Sequence, residues 1–177
     1  MTMTQAALKI VVTGPFNAGK SEFVKTLSEI EVISTERKIT TEDRQIKSET
    51  TVAMDFGRCT MSGRTLHLFG TPGQPRFQFM WEILAKEMDG FVILVDSTLP
   101  ESFGQAQRLI NLFTRISSVP FVVGANKQDI DGAMRIHQIR PALNLPPDIL
   151  VLPCIATDQN VALSVLAQLY HAIEYPR

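Results

Sequence analysis

Between the apolar run "LKIVVTG" (8–14) and a helically spaced segment (19–29) lies "GPFNAGKS" (14–21). It fits G-x-x-x-x-G-K-[ST], and a strand before it with a helix after it is the context that motif requires. Its glycines let backbone N–H groups close around phosphate oxygens, so Gly14, Asn17, Ala18 and Gly19 form a candidate phosphate cradle. Lys20 is placed to reach the β and γ phosphates of a nucleotide, and Ser21 to coordinate Mg²⁺.

The rest of the chain supports an α/β reading with a mainly parallel sheet, because apolar runs alternate with helical patterns. "GFVILVDS" (90–97), "VPFVVGAN" (119–126) and "DILVLPC" (148–154) are further buried strands, and 101–116, 133–143 and 160–173 have helical spacing. "TTVAMDFGRCT" and "RTLHLFG" are β-rich runs joined by Ser62-Gly63, a two-residue hairpin turn. Residues 30–50 are polar and aperiodic and read as a long loop, functional or mobile. Pro141 limits the helix it falls in.

The bulk numbers set limits on function. The 177 residues make one domain (1–177), and a net charge of −1 gives no basic field for nucleic acid or an anionic membrane. Cys59 and Cys154 are too few for a disulfide framework and read as reduced thiols of a cytoplasmic protein. No apolar run approaches the ~20 residues of a membrane span, and neither end shows a signal peptide or lipidation motif, so no direct membrane anchor is expected. His67, His137 and His171 lack ligand spacing.

"NKQD" (126–129) follows the strand "VPFVVGA". An aspartate there accepts from N1–H and N2–H₂ of guanine, an edge adenine does not offer, so Asp129 selects guanine. Asn126 is placed to tie this loop to the phosphate loop, and the Lys127 stem to cover the base. The mouth of a parallel strand is where such folds put ligands.

On these residues the chain resembles a Ras-superfamily small GTPase over nearly its whole length. "GPFNAGKS" matches the phosphate loop, Thr51 the switch I threonine, "GTPGQ" switch II and "NKQD" the guanine loop. "CIAT" (154–157) falls at the last base-contact loop. Ala156 matches its backbone donor, while Thr157 replaces the usual lysine. Gly70 and Phe16 resemble the prokaryotic branch, which includes the gliding-motility polarity switch. The resemblance implies a six-stranded sheet with one antiparallel strand and helices on both faces. It also implies bound GTP or GDP with Mg²⁺.

One departure stands out. The family carries an aspartate before the switch II turn that holds Mg²⁺ mainly through a water, and this chain has Gly70. If Ser62-Gly63 is a two-residue turn, Met61 faces Arg64 and Asp55 faces Gly70. Opposed residues share a face with Cβ atoms ~4.5–5.5 Å apart, so Asp55 would bring a carboxylate near the lost one. A slip of one residue would instead turn Asp55 to the other face, as a plain sheet residue.

The resemblance implies hydrolysis of the γ-phosphate, with Gln74 orienting water and Lys20 and Thr51 at the transferring group. Gly73 N–H contacts the γ-phosphate side, and Ser21, Thr51 and Asp55 are the metal candidates. Thr50 is an alternative to Thr51. Arg44 and Arg76 are the candidate arginines within the chain, and bulky Phe16 would obstruct one inserted by a partner. Slow intrinsic turnover is therefore expected. The alternatives are a guanine-nucleotide-binding module with negligible turnover and an ATP-using phosphate-loop protein. In "RFQFMWEILAKEM" (76–88), Phe77, Met80, Trp81, Leu84 and Met88 share a core face, whereas Phe79 and Ile83 form a second apolar pair. That pair is a docking candidate on switch II, and by resemblance the partner is a small Roadblock-type regulator.

Overall fold

The computed structural model describes residues 5–43, 46–73 and 75–177, with backbone alone for 35–43, 46–53 and Pro75. The strands are β1 (Leu8–Thr13), β2 (Ile33–Asp43), β3 (Ile46–Met61), β4 (Arg64–Gly70), β5 (Gly90–Asp96), β6 (Phe121–Asn126) and β7 (Val151–Pro153). The longer helices are α1 (Lys20–Leu27), α2 (Gln78–Ala85), α3 (Phe103–Ile116), α4 (Ile136–Ala142) and α5 (Gln159–Glu174). One sheet runs in the order β2-β3-β4-β1-β5-β6-β7. Only β3 runs against its neighbours; β1 pairs parallel with β4 and β5, and β5 through β7 pair parallel in turn.

The single antiparallel strand is the expected one, but the strand count is seven, not six. The extra strand is β2, in the segment expected to be a loop. It pairs with β3 from Ile33↔Phe56 out to Asp43↔Ile46. Its sequence, "ISTERKITTED", has no apolar alternation. An outermost strand needs none, because charges along it discourage unwanted pairing, and β-branched Ile and Thr favour extended backbone.

Side chains alternate across the central strands. Ile10, Val12, Val92 and Leu94 pack with Phe23, Val24 and Leu27 of α1 and Val165, Leu166 and Leu169 of α5. Val11, Phe91, Ile93 and Val95 face the other way, onto Trp81 and Leu84 of α2, Phe103, Ala106 and Leu109 of α3 and Ile139 of α4. Every residue of β5 is buried, as expected for a parallel strand covered on both faces. Each such aliphatic or aromatic side chain contributes about 1.5–3 kcal/mol by burial. This rigid layer aims the loops after β1, β4, β5, β6 and β7 to one edge, where open parallel sheets bind ligands.

Candidate functional site

The loop after β1 is built for close approach. Gly19 has φ 101°, and a Cβ there would fall 2.1 Å from Asn126 Nδ2. Gly14 lies against β5, with a would-be Cβ 2.3 Å from the Leu94 carbonyl oxygen. Asn17 takes φ 61° between them. The Ala18 N–H donates to Pro15 O at 3.1 Å, and the Ala18 carbonyl accepts from Asn126. Lys20 Nζ donates to Gly14 O and Pro15 O, both at 2.7 Å. Burial pulls the Lys20 ammonium down to about 8, partly opposed by Asp55. An ammonium has three donors and these carbonyls take two, which leaves one for a ligand in the cleft.

That cleft has a volume of about 490 Å³ and is lined by Phe16, Asn17, Lys20, Ser21, Asp55 and Gly73, among others. Ser62 and Gly63 both have positive φ, the type I′ geometry that fixes a two-residue hairpin. The observed register is therefore Met61↔Arg64 and Asp55↔Gly70, as the turn implied. Ser21 Oγ donates to Asp55 Oδ2 at 2.5 Å, and Ser34 Oγ of β2 to Asp55 Oδ1 at 2.8 Å. A Cβ on Gly70 would lie 3.3 Å from Asp55 Cβ and 3.5 Å from Oδ2. The contact with Asp55 Cβ would be tight and that with the carboxylate ordinary, so the glycine eases the close approach of Asp55.

These oxygens suit a hard divalent cation. Among the described residues no group of three or more His, Cys, Asp or Glu gathers as a metal cage. Mg²⁺ does not call for one, since it is commonly held by one or two protein oxygens, waters and a substrate's phosphates. Ser21 and Asp55 meet that requirement.

At the opposite end Asn126 is 3% exposed and spans three loops. Its Nδ2 donates to Ala18 O and its Oδ1 accepts from Ala156 N, each at 2.8 Å. The Ala156 amide, a candidate base donor, thus already has a partner. Lys127, at φ 66°, lines the cleft and donates to Asp96 Oδ2 at 2.6 Å. Hydrogen bonds from Lys127 and Thr98 hold the Asp96 carboxyl below its ordinary value against the effect of its burial. Gln128 Nε2 donates to Ser97 Oγ at 2.8 Å and Met134 O at 2.9 Å. Asp129 is exposed beyond this brace.

The turn after β4 is anchored at each residue. Thr71 N donates to Val12 O at 2.9 Å and its hydroxyl to Thr13 Oγ1 at 3.0 Å. Trp81 Nε1 donates to Pro72 O at 2.7 Å, and Gln105 Nε2 to Gly73 O at 2.9 Å. Gly73 faces Lys20: its would-be Cβ lies 2.8 Å from Nζ. In α2, Trp81 and Leu84 are buried, as are flanking Phe77 and Met88, whereas Phe79 and Ile83 are exposed.

The structure thus brings Lys20, Ser21, Asp55 and Gly73 together, and links Asn126 to Ala18 and Ala156. It places Thr51 elsewhere: in β3 its backbone pairs with Lys38 of β2, four positions past Asp55 toward the outer end of the β2–β3 arm. Four strand residues span roughly 13 Å. Thr50, paired with Ile39, lies one position further out. Gln74 and Arg44 lie outside the described residues. The sequence reading missed Asp96, Ser97, Gln128 and Gln105. "VDS" at the end of a buried strand was a visible signal for the first two, since buried polar groups there need partners.

The strand order and the loops gathered at this edge are those of the small GTPases. The model of the ADP-ribosylation factor family matches residues 1–171, and the chain belongs to that family. It is 29% identical over 128 residues to an uncharacterized protein of Methanocaldococcus jannaschii, covering 72% of this chain and 75% of that one. It is 25% identical over 148 residues to the mutual gliding-motility protein MglA of Myxococcus xanthus, covering 77% and 75%. With the ADP-ribosylation factor-like protein 2 of Drosophila melanogaster the identity is 26% over 150 residues, covering 82% and 73%. The solved structure of the Arl6 small GTPase from Trypanosoma brucei, with bound GppNp, matches its fold with a TM-score of 0.75 at 16% identity, over 96% of this chain and 98% of that one. Among the described residues no helix is long and apolar enough to cross a membrane.

Proposed function

We propose that residues 1–177 act as one GTP-binding switch domain with slow, Mg²⁺-dependent hydrolysis of GTP to GDP and phosphate. The observation that carries this reading is the Ser21–Asp55 contact, which supplies a carboxylate beside the phosphate loop where Gly70 supplies none. Lys20 and the amides of Gly14, Asn17 and Gly19 bind the phosphates, and the Ala18 amide joins them by giving up its bond to Pro15 O. Asp129 selects guanine, with Asn126, Lys127 and Ala156 shaping its pocket. Gly73 N–H faces the γ-phosphate, and Gln74 orients the attacking water. Ser21 and Asp55 would hold Mg²⁺, which would supply neutralisation of phosphate charge in such a transfer. For Thr51 to join them, the outer part of β3 must leave its ladder with β2. That rearrangement is the kind of order change by which nucleotide state alters partner binding.

The exposed Phe79 and Ile83 on α2 would present that state to a partner, a Roadblock-type regulator being the first candidate. The similarity to the gliding-motility protein MglA is what suggests this kind of partner.

Two measurements test the proposal. GDP release at varied Mg²⁺ should be slowed by the metal in wild type and need about 10–100-fold more metal in Asp55→Ala. Single-turnover hydrolysis with excess protein should exceed the buffer rate in wild type and drop toward it in Gln74→Leu. If wild type and Gln74→Leu both match buffer, the hydrolytic switch is wrong and a nucleotide-binding module remains.

A further inference from the structure

We infer that Trp81 and Gln105 are positioning residues that set the direction of the Gly73 amide, and so discriminate GTP from GDP. The inference rests on the proposed reading that Gly73 N–H faces the γ-phosphate.

A trans peptide is planar, with its C=O and N–H on opposite sides. The Pro72 carbonyl and the Gly73 N–H belong to one such plane. Trp81 Nε1 donates to that carbonyl at 2.7 Å, so the indole fixes where the Gly73 N–H points. The next plane begins with the Gly73 carbonyl, which accepts from Gln105 Nε2 at 2.9 Å. The planes on both sides of one Cα are therefore held by side chains, one from α2 and one from α3.

Glycine explains why two braces are useful. Position 73 has no room for a side chain, because a Cβ would fall 2.8 Å from Lys20 Nζ and from Phe16 Cα, and 2.9 Å from Phe16 N. Yet glycine is the residue that least restricts its own φ and ψ. Anchoring by Thr71 to β1 fixes the start of the turn but not the two planes after it. Trp81 is 5% exposed, and its ring alone would satisfy the packing of α2. Its N–H adds a bond whose acceptor lies nine residues away, in the turn.

The test compares affinity for GDP with affinity for a non-hydrolysable GTP analogue, both with saturating Mg²⁺, in wild type, Trp81→Phe, Gln105→Glu and Gly73→Ala. Phe keeps an aromatic ring without the donor. Glu keeps the shape of Gln but turns the donor into an acceptor, at a half-buried site outside the core. Expected is a loss of about tenfold for the analogue in Trp81→Phe and Gln105→Glu, with GDP affinity within about twofold of wild type. Gln105→Glu keeps the test decisive if the aromatic change destabilises the fold. A wild-type ratio of the two affinities in Gln105→Glu, or equal weakening of both nucleotides, overturns the positioning role. Gly73→Ala separates the two levels of the argument: if it too keeps the wild-type ratio, the γ-phosphate reading of Gly73 fails and takes the brace with it. If it alone loses discrimination, only the brace fails.

Discussion

The two ends of the cleft are organised differently. At the base end, Asn126 links the phosphate loop to the Ala156 loop, Gln128 is bonded to Ser97 and Met134, and Lys127 pairs with buried Asp96. These partners sit at the ends of adjacent parallel strands, β5, β6 and β7, so the rigid layer holds them before any ligand arrives. At the phosphate end, Asp55 belongs to the antiparallel strand, and its carboxylate is held by hydroxyls of Ser21 and Ser34. Those are single bonds at the surface, ones a cation and phosphates can exchange. The comparison teaches that one end is braced by buried side chains joining the loops of packed parallel strands, whereas the carboxylate at the other end is held by two exposed hydroxyls.

The strongest way to break this contrast is Asn126→Ala. It leaves the Ala18 carbonyl and the Ala156 amide without their buried partner, at about 1–3 kcal/mol each. Affinity for GDP and for the GTP analogue should fall together by about 100-fold or more, measured by calorimetry. A selective loss of one nucleotide would mean that the base end is not a uniform scaffold.

Next in size is a relocation of the carboxylate. Asp55→Ala should raise the Mg²⁺ requirement of GDP retention, and the double change Asp55→Ala with Gly70→Asp should recover most of it, since position 70 faces the same space. Gly70→Asp alone sets two carboxylates against each other and should weaken the metal response. Failure of the double variant to recover any Mg²⁺ dependence counts against a shared site.

A smaller effect is expected for Gln128→Ala, which removes two braces from the loop after β6. About 1 kcal/mol, or roughly fivefold in affinity for both nucleotides, is the expected loss.

The thiols report on the contrast by labelling rate rather than by nucleotide affinity. Burial pushes Cys59 up to about 11, with Glu29 adding to it, and Cys154 up to about 12. Because the thiolate is the reactive form, maleimide labelling at pH 8 should be at least about 100-fold slower in the native than in the unfolded protein. The sign for stability follows: above about pH 9 the unfolded chain releases thiol protons that the native state keeps, so these groups lower stability as pH rises further. Cys59 lies in β3 and Cys154 behind the loop that follows β6. On removal of nucleotide and Mg²⁺, Cys59 should label first, and equal rates would blur the contrast between the two ends.

What the sequence determined by itself is whatever short-range chemistry controls. The phosphate loop is a contiguous motif between a strand and a helix, and its glycines are needed for local approach. The Asp55–Gly70 pairing was equally legible, because a two-residue turn at Ser62-Gly63 propagates one register along both strands. Tertiary structure alone decided the rest. An outermost strand needs no buried face, so β2 carried no periodic signal and read as a loop. Asp96 meets Lys127 across 31 residues and Gln105 meets Gly73 across 32, separations over which no local pattern specifies a partner. Such pairs form because the packed parallel strands deliver their loops to one edge, where each buried donor must find an acceptor.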